Sequence, residues 1–84
     1  MRKVERINVR WYDHVPADEG YEHLGPYSVI VAKYSVDDGS AFLSVKSFYS
    51  VPITSEKQRA EIEPILLKGM DEEAQWCAEH PPDD

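Results

Sequence analysis

The chain predicts a small α+β domain: a three-stranded antiparallel sheet, arranged as strand, long loop and β-hairpin, with a kinked C-terminal helix packed on one face. Three observations carry the prediction. Two runs rich in Val, Tyr and Phe, at 27–36 and 41–51, flank Asp37-Asp38-Gly39-Ser40; a period-two stretch precedes them; a capped amphipathic stretch follows them. At 84 residues and 9.6 kDa there is room for one domain spanning 1–84, with the sheet in about 4–52 and the helical region in about 55–80.

The first strand is read from residues 6–12, where Ile7, Val9 and Trp11 alternate with Arg6, Asn8 and Arg10. Such alternation places one set on a core and the other in solvent. Arg6, Asn8, Arg10 and Tyr12 then share a face, and Lys33 and Lys46 extend it into a basic, aromatic surface. Residues 13–26 contain Pro16, Gly20, Gly25 and Pro26 and follow neither period, which makes a long loop for so small a domain.

The hairpin register follows from the turn. Glycine accepts the positive φ of a tight turn, so Asp-Gly between two β-runs marks a reversal. A two-residue loop, or a four-residue loop with the same pairing, opposes Val36 to Ala41, Tyr34 to Leu43 and Ala32 to Val45, keeping one face apolar. Ile30, Ala32, Tyr34, Leu43, Val45 and Tyr49 then face the helix. Tyr27, Val29, Val31, Phe42 and Phe48 take the opposite face, where no second helix remains to cover them.

Pro52 closes the sheet, and Ser55 with Gln58 three residues on has the form of a capping box. Ile62, Ile65, Leu66, Met70, Trp76 and Cys77 share one arc of a helical wheel. Pro64 lacks an N–H and predicts a kink. Glu73 falls inside the apolar arc, so either it reaches Arg6 or Arg10, or the last turns peel from the core and expose Trp76. His80-Pro81-Pro82 ends the helix, and Asp83-Asp84 reads as a frayed tail.

Chemistry-bearing motifs are sparse. Asp13, His14, Asp18, Glu19, Glu22 and His23 are metal-capable types, but their spacing matches no ligand signature such as H-E-x-x-H, and the expectation is no metal and no cofactor. Cys77 and His80 lie i, i+3, yet Cys77 sits on the apolar arc and reads as a small core residue rather than a nucleophile. No P-loop, nucleophile elbow or dinucleotide fingerprint occurs, so no catalytic residue is assigned.

Charge is unevenly distributed. The formal net charge of −7 lies wholly in residues 36–84, because five basic and five acidic residues cancel before them. A duplex-binding protein carries a basic footprint, so nucleic acid is a poor first partner. No apolar run reaches ~18 residues, so no membrane partner is expected. Met1-Arg2-Lys3 leads into Val4-Glu5-Arg6 with no apolar stretch of a secretory leader, and one cysteine forms no internal disulfide; the default expectation is a cytoplasmic location.

The functional expectation is a small acidic, non-enzymatic protein-binding module, of inhibitor, immunity-like or regulatory type, acting as a dimer or bound to a larger partner. Its binding residues are Tyr27, Val29, Val31, Phe42 and Phe48 on the sheet, with Trp76, Glu72 and Glu79 on the helix; the acids would meet a basic protein surface. The alternative for the sheet is that residues 13–26 fold over it with Tyr21 and Leu24. The alternatives for function are an acidic mimic of nucleic acid that blocks a DNA- or RNA-binding protein, and a small metal-dependent enzyme using His14 and His23.

Overall fold

The structure, a computed structural model, describes residues 1–50, 52, 53 and 55–81, the side chain of Leu24 excepted. Val51 and the Asp83-Asp84 tail lie outside the described residues. Strands β1 (Val4–Val15), β2 (Tyr27–Val36) and β3 (Ala41–Tyr49) form one antiparallel sheet in the order β1-β2-β3, and helix α1 (Glu56–Glu79) follows them. The α+β architecture is the one expected.

The hairpin adopts the four-residue form of the expected register. Val36 pairs with Ala41, Tyr34 with Leu43 and Ala32 with Val45. Asp37, Asp38 and Gly39 take φ of 49°, 56° and 96°, conformations open to aspartate and glycine but strained for most side chains. The N-terminal segment clamps this turn: the Lys3 amide donates to the Asp37 carboxylate at 3.0 Å, the Asp37 amide donates to the Lys3 carbonyl at 2.8 Å, and Arg2 pairs with Asp37 at 3.1 Å.

β1 departs from the alternation read in the sequence. It runs to Val15, beyond the expected end at Tyr12, so the connection shortens to residues 16–26 and contains a 3-10 turn at Glu22–Leu24. Between Arg6 and Asn8 the register slips, so that Arg6 faces Tyr34 while Asn8 faces Lys33. A bulge of this kind sets two residues opposite one and changes the face of everything beyond it. Ile7, expected in the core, is therefore exposed on the open face, and Arg6, expected on the open face, moves to the helix side. There its guanidinium donates to both Asp71 carboxylate oxygens at 3.0–3.1 Å, and the Tyr34 hydroxyl donates to the same carboxylate at 2.6 Å.

The helix begins as expected, with Ser55 as N-cap accepting from the Gln58 amide at 3.4 Å. It continues unbroken through Pro64, whose missing N–H frees only the carbonyl of Ala60, an exposed residue. Its buried stripe differs from the expected arc and comprises Leu67, Met70, Ala74 and Ala78. Ile65 is 74% and Trp76 60% exposed on the far side. The small alanines let the helix lie close on the sheet, and polar residues flanking the stripe find partners on β1. Trp11 Nε1 donates to Glu63 at 2.8 Å and the Arg6 guanidinium meets Asp71. The last turns do not peel away, since Ala78 is buried and its carbonyl accepts from Arg2 at 3.3 Å; Glu73 simply points to solvent.

Ile30, Ala32, Tyr34, Val45, Leu67, Met70 and Ala74 make the core, with Val9, Trp11 and Leu43 packed against it. Below its Trp11 end lies a polar anchor. Ser28, fully buried, donates to Asp13 at 3.1 Å and accepts from the Ile53 amide at 2.9 Å; Arg59 pairs with Asp13 and donates to the Ile53 carbonyl at 3.2 Å. This anchor closes the chain from β3 back under the sheet and sets the angle at which α1 starts.

Candidate functional site

One helix covers one face of the sheet, and the result is a two-layer molecule only 16 Å thick against 41 × 33 Å across. Its radius of gyration is 14.7 Å, where a compact chain of this length has about 12 Å. Its accessible surface is 6084 Å², about 1000 Å² above the ~5100 Å² of a typical monomer of this mass.

The register lays out the open face row by row. At the hairpin end, Phe42 stands opposite Ser35, 58% exposed, with Lys33 Nζ 5.4 Å from its ring centroid. In the middle, Asn8 and Ser44 flank Lys33, and Arg10 and Lys46 flank Val31. At the loop end, Tyr12 and Phe48 flank Val29, and the rings of Tyr27 and Phe48 meet at 5.8 Å with a 53° tilt. Phe48 is 63% exposed. The face is thus basic at its centre and aromatic at both ends.

Of the expected sheet residues, Phe42 and Phe48 are open to solvent, and Tyr27 and Val31 are half-buried. Val29, expected to be uncovered, is instead buried, because it lies between the larger Tyr12 and Phe48 in its row. Among the described residues the loop does not cover the face: Tyr21 remains exposed, and the loop only borders Tyr27, Phe48 and Tyr49 around an open depression of about 600 Å³ at the sheet's edge. The Leu24 side chain lies outside the described residues.

Trp76, Glu72 and Glu79 stand apart on the outer side of α1, all exposed, and belong to a different surface. The Trp76 ring stacks on His80 at 4.5 Å and 16°, which engages His80 away from the half-buried Cys77. His14 and His23 are both exposed, and among the described residues no three His, Cys, Asp or Glu side chains converge as a metal would need. Ile7 and Tyr12 are contributors to the open face that alternation alone misassigns or underweights. The Asn8–Lys33 pairing at the bulge is the feature that brings Ile7 there, and no local sequence signal marks it.

Arg2, Lys3, Arg6 and Arg59 each pair with an acid, whereas Arg10, Lys33 and Lys46 on the open face, and Lys57 and Lys68 on the helix, form no ion pair among the described residues. Glu5 is the acid on that face, at its corner, and it meets Lys3 at 3.3 Å. Among the described residues, no helix is long and apolar enough to cross a membrane. Comparison with protein-family models, curated proteins and solved structures found no match for this chain.

Proposed function

We propose that the protein is a non-enzymatic binding module that docks another protein on the open face of its sheet. The observation that carries the reading is the uncovered layer itself: a sheet face with exposed Phe42, Phe48 and Tyr12, in a two-layer molecule whose one helix packs on the other side. Exposed aromatics on a rigid sheet lose little entropy on contact and supply most of the energy where interfaces form.

A different protein suits this face better than a second copy. A two-fold, face-to-face dimer centred on the middle row would set Arg10 and Lys46 of one copy against those of the other with no acid in that row. Like charges brought together out of water are costly.

The test is site-specific photocrosslinking in the native cell, with the crosslinker at position 42 or 48 and, as a control, at position 65 on the outer side of the helix. The reading expects one protein adduct from 42 and 48 that recurs with the purified partner and is absent from 65. Adducts from 65 alone, or a self-adduct matched by a dimer in sedimentation, would overturn it.

A further inference from the structure

We infer that the partner meets the open face with an acidic segment of polypeptide. This rests on the docking reading above and names the chemistry that face selects.

The chain has 16 acidic residues against nine basic ones, so an unbiased surface would be acidic everywhere. The centre of the open face is the opposite. Arg10, Lys33 and Lys46 occupy neighbouring positions across three strands, and Arg10 and Lys33 together line a shallow depression of about 480 Å³ with Asn8 and Ser44. All four present hydrogen-bond donors, and no carboxylate lines the depression. Like charges beside one another on a sheet are mutually destabilising. Asp13, Asp37, Asp38 and Asp71 neutralise Arg59, Arg2, Lys3 and Arg6; among the described residues Lys57 and Lys68 stand unpaired on a helix rich in acids, whereas Arg10, Lys33 and Lys46 stand unpaired together on a face whose centre has none. A carboxylate-bearing partner supplies the missing counter-charge, while its apolar side chains meet Phe42 and Phe48 on either side.

A polypeptide fits better than a nucleic acid strand. Three unpaired cations make a small footprint, and a long polyanion running past them meets Asp18 and Glu19 in the loop and, at the hairpin end, Glu5, Asp37 and Asp38, three acids that Arg2 and Lys3 offset only in part. A peptide can place two or three carboxylates at the centre and apolar groups at the ends.

The test uses fluorescence anisotropy with three labelled probes: a peptide of alternating glutamate and leucine about ten residues long, to match the length of β2, the same peptide with lysine for glutamate, and an oligothymidylate of similar length. The glutamate peptide should bind saturably below about 1 mM. It should weaken about tenfold in the triple variant Arg10→Gln, Lys33→Gln, Lys46→Gln, since each exposed charge contributes modestly, and weaken again between about 50 and 500 mM salt. The triple variant should melt no earlier than wild type, because it relieves repulsion. Equal binding of the lysine peptide, tighter binding of oligothymidylate, or no saturable binding of the glutamate peptide would overturn the inference. If the crosslinked partner is lost in Phe48→Lys but unaffected in the triple variant, the docking face stands and its acidic occupant does not.

Discussion

Arg59, one turn into α1, and Asp13, near the end of β1, form an ion pair across 46 positions of the chain, each side chain about one-third exposed or less. The pair carries more than its own contact. Asp13 also accepts from Ser28, Ser28 accepts from Ile53, and the Arg59 guanidinium lies 5.3 Å from the Trp11 ring centroid. Helix, sheet and the linker between them are held at one point.

Breaking that point should destabilise the fold measurably. Asp13→Asn is expected to lower the free energy of unfolding by about 2 kcal/mol, since it leaves a partly buried guanidinium without its counter-charge. Arg59→Gln should have a similar effect, and the double variant should be less than additive in a urea-unfolding cycle. Additive losses would mean the two side chains act independently.

Tyr34 makes stability fall at alkaline pH. Burial, then its hydrogen bond to Asp71, holds its phenol above the ordinary value of 10.0. The folded state keeps the proton where the unfolded chain releases it, so this contribution is intact below about pH 10 and is lost as pH rises further, at up to about 1.4 kcal/mol per pH unit. In Tyr34→Phe that extra decline should vanish, which a comparison of urea midpoints between pH 9 and 11 reads directly.

The orientation of α1 is testable by contrast. Leu67→Ala removes a buried side chain and should lower stability by about 2–4 kcal/mol. Ile65→Gln alters an exposed one and should change it by less than about 0.5 kcal/mol. Equal losses at 65 and 67 would place the packed stripe where the hydrophobic wheel puts it.

Gly39→Ala probes the hairpin. At φ of 96° an added methyl is strained, and its position lies 4.0 Å from the end of the Phe42 ring. A loss of about 1 kcal/mol in thermal unfolding is expected. No loss would show that the turn tolerates another backbone conformation.

These elements differ in how far the sequence reveals them. The hairpin was legible because Asp-Gly fixes where the chain reverses, and only one pairing keeps Ala32, Tyr34 and Val36 against apolar partners. The bulge at Ile7 was not, because Ile7 extends the same alternation as Val9 and Trp11; what breaks it is Arg6 reaching Asp71, 65 positions away. The helix face departs from the hydrophobic wheel for a related reason. Hydropathy favours Ile65 and Trp76 over Ala74 and Ala78, but close approach to a sheet favours small residues, and Arg59, Glu63 and Asp71 can border the buried stripe because β1 offers each a polar partner or a ring. The aromatic open face was legible from the hairpin register. Its basic centre is legible in part: alternation adds Arg6, which the bulge turns to the helix side.

The measurement that bears most directly on the docking face is the affinity of the crosslinked, purified partner for Phe48→Lys, read beside the variant's melting temperature. Phe48 is exposed and outside the helix-facing core, so the variant should melt within a few degrees of wild type while losing partner affinity about a hundredfold or more, as an aromatic anchor does. Affinity unchanged in a variant that folds normally would contradict the assignment of this face as the docking surface.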